Sequence, residues 1–333
     1  MQNHNTPVFH WGSQFAHKFD LTPFKTVLDL GCRQGNITAY LAKNYPQQRF
    51  TAIDNLEGEI ERAKSHQLPN VTFATQDALY LDCTEQFDAV VSFSCLHWIN
   101  NKTKALQAIY RALKPGGKAF LQFFASHGRP KNDRFLYQTA STSKWKSYFN
   151  HFTPAYSANT LSQISALLHN VGFIVHRLEI DRYQTLFEHA DALHGWFSTW
   201  ASHPKQIPLG KQGNFLADTV AAYLAAHHYP KQMIFPYYEY LLEISCEKPL
   251  IAHDEKSYHY AHTVFTPHEI RVLKQFLQGK TAKEIGCVLS ISAKTSEFHL
   301  ANIKAKLNCH KRSELYQAAI KHGFIDWLFD EKI

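Results

Sequence analysis

Apolar residues in the first third of the chain fall into short, dense runs separated by stretches with helical spacing. TVLDL (26–30), FTAID (50–54), VTFAT (71–75), the run 89–93 and KAFLQFF (118–124) each read as a buried strand. The unbroken apolar character of 89–93 predicts a strand covered on both faces, as in a parallel sheet. Between these runs, Ile37 and Leu41 mark one face of a helix, and 55–67 and 102–113 predict two more. A lead-in helix, GSQFAHKFDL, precedes the first strand, with Trp11 and Phe15 read as packing residues. Strand and helix alternate through five units, so the fold class is α/β with a doubly wound sheet.

After Ala125 the pattern loosens. An aromatic segment (Trp145, Tyr148, Phe149, Phe152) leads to a helix over 160–170 and a strand, FIVHRLEI. A helical insertion follows, carrying Trp196, Trp200 and the run 214–228, and YYEYLLEISCEKP reads as a last strand. Residues 251–263 are polar and lack periodicity, as an interdomain linker does. From Phe265 the chain changes to short capped helices. Thr266-Pro267-His268-Glu269 and Thr281-Ala282-Lys283-Glu284 are capping boxes, and Ser292 caps a third helix. In that third helix Leu300, Ile303 and Leu307 share one face, while Lys294, Glu297, Phe298, Ala301 and Lys304 share the other. A final helix starts near Ser313 and stops at Gly323. Two short helices, a tight turn and a helix with a mixed outer face make a helix-turn-helix.

Charge sharpens this division. Between residues 263 and 325 there are ten Lys or Arg against four Glu, so six of the chain's net +7 lie in its last fifth. A concentrated cationic module is the footprint of a nucleic-acid partner. Six scattered cysteines, none in a C-x-x-C pair, point to reduced thiols and a cytoplasmic protein. No stretch reaches the roughly 18 apolar residues of a membrane helix, and the 21 histidines show no ligand spacing, so neither membrane nor metal is expected.

The candidate chemistry gathers where the strands end. The first strand feeds a turn, Gly31-Cys32-Arg33-Gln34-Gly35, that opens a helix, an arrangement presenting backbone N–H groups to a ligand. Asp54 ends the second strand at the distance from which a carboxylate can hold a ribose. Asp77 ends the third, and Ser94-Cys95-Leu96-His97-Trp98 ends the fourth. Asp29 two residues before the glycine turn, Asp54, Asp77 and the Leu113-Lys114-Pro115-Gly116-Gly117 turn resemble, in order and spacing, the motifs of class I S-adenosylmethionine-dependent methyltransferases. Arg33 departs from that pattern, standing where the middle glycine of the first motif would sit. With the aromatic insertions, His97-Trp98 makes the chain similar to the trans-aconitate and juvenile-hormone-acid methyltransferases. The resemblance implies a seven-stranded sheet with inserted helices, S-adenosyl-L-methionine as cofactor and a small-molecule carboxylate as acceptor. It implies Asp29, Gly31, Gly35, Asp54, Asn55, Asp77, Ala78 and Ser94 as cofactor-binding residues. An ionised carboxylate needs no general base; a hydroxyl or amine acceptor would, and His97 is the candidate. His97 reads equally as a substrate contact or a packed edge histidine.

The span 265–325, with FTPHEIRVLKQFLQGKTAKEIG and ISAKTSEFHLANIKAKL, resembles the LuxR/FixJ-type DNA-binding domain of four helices. That resemblance implies double-stranded promoter DNA as partner and a homodimer on it. Glu297, Phe298 and Ala301 then fall at base-reading positions, and Thr281, Lys283, Ser292, Lys294, Thr295, Asn302 and Lys304 where phosphates are held. The expected organisation is a methyltransferase-like domain over 1–250, a linker over 251–263 and a helix-turn-helix domain over 264–333. Two functions fit: a transcriptional regulator with a working methyltransferase domain, or one whose first domain only senses the cofactor or a metabolite.

Overall fold

The computed structural model describes residues 6–124, 126, 132–153, 159–230, 233–249, 265–321 and 324. The expected linker over 251–263 and the stop at Gly323 lie outside the described residues. The chain divides into two compact units, 1–167 with 175–248, and 168–174 with 249–333.

The first unit is built on a seven-stranded sheet. Its strands are β1 (Thr26–Leu30), β2 (Arg49–Asp54), β3 (Val71–Thr75), β4 (Phe87–Phe93), β5 (Leu113–Phe124), β6 (Ile174–Phe187) and β7 (Phe235–Glu247), in spatial order β3-β2-β1-β4-β5-β7-β6. The chain runs outward from β1 to β3, then crosses back to β4 on the other side of β1. This reversal places a crevice at the carboxyl ends of β1 and β4, where α/β sheets bind ligands. Register is parallel from β3 to β5, with Leu30 beside Ile53 and Asp29 beside Val91. β7 runs antiparallel to β5, pairing Phe124 with Leu241 and Lys118 with Glu247. Val27, Leu28 and Leu30, like Ala89, Val90 and Val91, are almost wholly buried, because both faces of the central strands are covered.

Helices α1 (Pro7–Ala16), α2 (Asn36–Asn44), α3 (Glu57–Lys64) and α4 (Lys102–Ala112) follow the expected alternation. α1 begins five residues before the expected lead-in helix, because Thr6 caps it through Phe9 N at 3.3 Å and Pro7 occupies its first turn. Trp11 anchors α1 to the sheet: its indole donates to Thr185 Oγ1, and its carbonyl accepts from Gln122. α5 (Arg134–Ser141), α6 (Leu161–Val171), α7 (Ala190–Trp200) and α8 (Leu209–Ala226) make up the looser region. β6 extends seven residues beyond FIVHRLEI, as Tyr183 and Phe187 turn inward to join Trp196, Phe197, Tyr223 and Tyr237 in one aromatic core. A buried ion cluster fastens the far side of the sheet. Glu243 of β7, fully buried, accepts from Lys18 at 2.7 Å and from the Tyr183 hydroxyl, and pairs ionically with Arg177 at 2.8 Å.

The second unit contains α9 (Pro267–Leu277), α10 (Ala282–Leu289), α11 (Ala293–Lys306) and α12 (Arg312–Lys321). Both capping boxes form, with Thr266 and Thr281 each exchanging hydrogen bonds with the Glu three residues on. Ile270, Leu273, Phe276, Ile285, Ile303 and Leu315 make its separate core.

Candidate functional site

The turn after β1 is shaped by packing from below. A Cβ on Gly31 would lie 2.2 Å from Cys95 Sγ, and one on Gly35 would lie 2.6 Å from the Phe73 ring. Both glycines have positive φ, +82° and +70°, so side chains are excluded by conformation as well as by space. Arg33 also sits at positive φ, 48°. Its strained backbone is held by Asp54, whose Oδ2 accepts the Arg33 N–H at 2.9 Å while Oδ1 accepts that of Leu56 at 3.0 Å. Each carboxylate oxygen can accept more than one bond, so this clamp leaves Asp54 able to receive a hydroxyl. Asp29 is buried and accepts from Thr38 Oγ1 at 2.6 Å. Burial pushes its carboxyl up to about 7; the Thr38 hydroxyl pulls down and the Asp54 charge adds to the rise.

Two cavities open at this edge of the sheet. The first, about 220 Å³, is lined by Asp29, Gly31, Cys32, Arg33, Gln34 and Asn36 at the turn, with Thr6, Val8 and Phe9 from α1. The second, about 80 Å³, is lined by Ser94 and His97 after β4, Trp98, Phe124, Asp133, Trp200 of α7 and Glu239 of β7. Val8, Arg33, Phe93, Trp196 and Thr199 line both, so the cavities adjoin. In the second cavity His97 is 3% exposed, lies 4.9 Å from the Trp98 ring and meets Phe124 edge-on at 4.7 Å. Ser94 Oγ and Trp200 Nε1 are buried there without a hydrogen-bond partner. Buried polar atoms are nearly always paired, so such groups in a cavity wall are suited to a ligand.

The expected cofactor residues therefore do not all meet. Asp29, Gly31 and Ser94 line the cavities, and Asp54 reaches them through Arg33. Gly35, Asn55, Asp77 and Ala78 are not among the described lining residues. Asp77 caps a short turn, its Oδ1 accepting the Leu79 N–H at 2.8 Å. Sequence reasoning missed Asp133, Trp200 and Glu239 as site residues, since they lie on elements far apart in the chain. Glu239 is one of three glutamates spaced four apart in the last strand, with Glu243 and Glu247, so sequence alone does not single it out.

In the second unit, the ten residues expected at a DNA surface fall on the first turn of α10, on α11 and on the caps that precede each. Thr281, Lys283, Ser292, Lys294, Glu297, Phe298 and Ala301 are exposed, and Thr295, Asn302 and Lys304 are half-buried. Phe298 is 61% exposed, large for an aromatic side chain without a functional surface. The turn between α10 and α11 is tight: Ser290 adopts a left-handed conformation, and a Cβ on Gly286 would meet Ile291 O at 2.7 Å. Sequence reading missed the contact that locks α11 to α9, Lys306 Nζ to Glu269 Oε2 at 2.6 Å.

Comparison with known proteins accords with this division. Residues 27–117 match the family described as "Methyltransferase domain", and residues 263–319 match "Bacterial regulatory proteins, luxR family". Juvenile hormone acid O-methyltransferase of Bombyx mori is 30% identical over 208 residues, 58% of this chain and 72% of that one. The chain belongs to the methyltransferase family. Trans-aconitate 2-methyltransferase of Deinococcus radiodurans is 30% identical over 142 residues, 43% of this chain, and the chain spans 53% of its length. A candidate methyltransferase from Bacillus halodurans shares the fold, with a TM-score of 0.51 and 16% identity over 72% of this chain and 98% of that one. The methyl donor of the family is S-adenosyl-L-methionine. The methyltransferase domain fits it: a cleft reaching Asp29 and the glycine turn lies at the switch point, Asp54 retains acceptor capacity beside it, and Ser94 Oγ is without a hydrogen-bond partner in the adjoining cavity. Fused to this domain is a LuxR-type module. Among the described residues, no helix is long and apolar enough to cross a membrane.

Proposed function

We propose that the first unit methylates the carboxylate of a small molecule and that the second reads promoter DNA, making the chain a transcriptional regulator. The observation that carries the reading is the pair of adjoining cavities at the carboxyl edges of β1 and β4, one reaching the glycine turn and Asp29 and one walled by aromatic rings. The larger cavity takes the cofactor, with Asp29 and Gly31 in its lining, Asp54 behind Arg33 and Ser94 in the adjoining cavity; Gly35, Asn55, Asp77 and Ala78 lie at the neighbouring turns and strand ends without lining it. When bound, S-adenosyl-L-methionine supplies a methyl group that leaves sulfur with the bond's electron pair remaining on sulfur, while a lone pair of the acceptor forms the new bond. The aromatic cavity holds the acceptor and excludes water, so positioning provides most of the rate. His97 orients the acceptor from the cavity wall; a carboxylate acceptor gives it no proton to remove.

The DNA-reading unit uses α11 in the major groove, as a homodimer on paired half-sites. Glu297, Phe298 and Ala301 meet base edges. Thr281, Lys283, Ser292, Lys294, Thr295, Asn302 and Lys304 hold phosphates. The domains run 1–250 and 264–333, and the protein acts in the cytoplasm. The test has two arms. Calorimetric titration with S-adenosyl-L-methionine gives binding that Asp54→Ala abolishes, and no heat with the unaltered chain overturns the enzyme reading. Binding to promoter fragments falls steeply with salt; Lys304→Ala weakens it on all sequences alike, and Glu297→Ala changes preference at one base pair. Affinity that ignores salt overturns the DNA reading. A second reading, a cofactor-binding sensor without turnover, is favoured by one observation, Arg33 at φ 48° where its motif has glycine.

A further inference from the structure

The acceptor cavity is electrically polarised. Its five residues shared with the cofactor cleft mark the end where a methyl group would cross, and among these Arg33 carries the one ionic side chain. The residues that line the acceptor cavity alone include two acids, Asp133 and Glu239. Glu239 is 8% exposed, and its Oε1 accepts from Tyr237 Oη at 2.7 Å and from Asn132 Nδ2 at 3.5 Å. Burial, with the Asp133 charge adding, pushes its carboxyl up to about 7. The two acids line one pocket and the Asp133 charge opposes ionisation of Glu239; a cation seated between them relieves that opposition. The walls suit a cation too: Trp98, Trp196, Trp200 and Phe124 turn aromatic rings to the same space. A plain dicarboxylate or a fatty acid would leave these acids facing a like charge or a hydrocarbon.

We propose that the methyl acceptor is a small amino-acid-like zwitterion, its carboxylate toward Arg33 and its ammonium toward Asp133 and Glu239. This rests on the methyltransferase reading and names the acceptor class for it. The two ends also fix which atom is methylated. The acids keep the nitrogen protonated, without a lone pair to share. The carboxylate oxygen is the free nucleophile at the transfer end: it forms the O–CH₃ bond as the S–CH₃ bond breaks with its pair going to sulfur. No proton moves, and the product is a methyl ester that keeps its ammonium group. Arg33, a liability in the cofactor motif, becomes the residue that selects the acceptor's charge.

The test is calorimetric titration of the full chain, saturated with S-adenosylhomocysteine, against matched probes. These are α- and ω-amino acids of two to six carbons, their N-acetyl derivatives and the dicarboxylates of equal length. At least one zwitterion should bind about tenfold or more tightly than its N-acetyl and dicarboxylate counterparts. Glu239→Gln, and independently Asp133→Asn, should erase that preference while leaving S-adenosylhomocysteine affinity unchanged. Arg33→Gln should weaken all three probe classes together, since each carries a carboxylate. Equal binding of the N-acetyl or dicarboxylate probes, or a preference that survives both acid substitutions, overturns the proposal. Failure to bind S-adenosylhomocysteine at all defeats the methyltransferase reading instead; the same panel without cofactor then still reports the charge preference of the pocket.

Discussion

The two units solve the same problem, holding functional side chains in place, by opposite means. In the helix-turn-helix unit three of the four helix starts are each written into four consecutive residues: Thr266 with Glu269, Thr281 with Glu284, Ser292 with Thr295. In the methyltransferase unit the acceptor cavity draws on α1, the ends of β4 and β5, α7 and β7, segments up to 231 residues apart (Val8 to Glu239). A surface made of one helix face needs only local signals. A pocket needs a sheet to bring distant elements to one edge, and its weak points are long-range contacts.

This contrast can be broken most sharply at the glycines. Gly31→Ala should destabilise the methyltransferase unit by more than about 3 kcal/mol, because the new Cβ meets the Cys95 side chain at 2.2 Å and the φ is +82°. Chemical unfolding followed by intrinsic fluorescence reads it directly. Gly286→Ala, whose Cβ would meet backbone Ile291 O at 2.7 Å, should likewise open the turn before α11. If Gly31→Ala is tolerated and Gly286→Ala is not, long-range packing is not what holds the cofactor turn.

Next in size is a pH effect confined to the methyltransferase unit. With Asp29 held up at about 7, the folded chain keeps a proton that the unfolded chain releases above about pH 4. This group's contribution to stability therefore falls as pH rises from about 4 to 7 and is flat beyond. Asp29→Asn removes the effect, so relative to the unaltered chain the variant should gain up to about 3 kcal/mol between pH 4.5 and pH 8. Paired urea midpoints at the two pH values decide it. A constant difference would mean that Asp29 ionises freely in the fold.

The smaller effects sharpen the other half of the contrast. Lys306→Ala should cost the helix-turn-helix unit about 2 kcal/mol, because it leaves the buried Glu269 carboxylate without its cation. Thr281→Ala, which removes a cap and half of a capping box, should cost about 1 kcal/mol. Both are read as shifts in thermal midpoint. Neither should move the midpoint of cofactor-dependent stabilisation in the methyltransferase unit.

What could be read from residues alone follows the same divide. The strands of the parallel half, the two capping boxes and the inward face of Leu300 and Ile303 were legible because each is a period or a cap a few residues long. Arg33 was legible as an oddity, and its positive φ follows from the glycine it replaces. The true length of β6 was not, since its second half is polar on one side and turns inward only to meet the aromatic core of α7 and α8. Trp98 was legible only as the end of the fourth strand; its 38% exposure at the acceptor cavity depends on distant elements. Glu239 could not be placed in the site, because the register of β7 against β5 decides which end of that strand faces the cavity.

The place of β7 between β5 and β6 has a consequence for birth at the ribosome. β5 leaves the exit tunnel more than a hundred residues ahead of its neighbour on that side, and β6 has no strand to pair with until that neighbour arrives. Throughout this interval Leu121, Phe123 and Phe124 border an unclaimed strand edge, the kind of surface that sticks to other nascent chains. Chains released early, before Glu247, should clump, and the reader of DNA is always translated after that hazard has been closed.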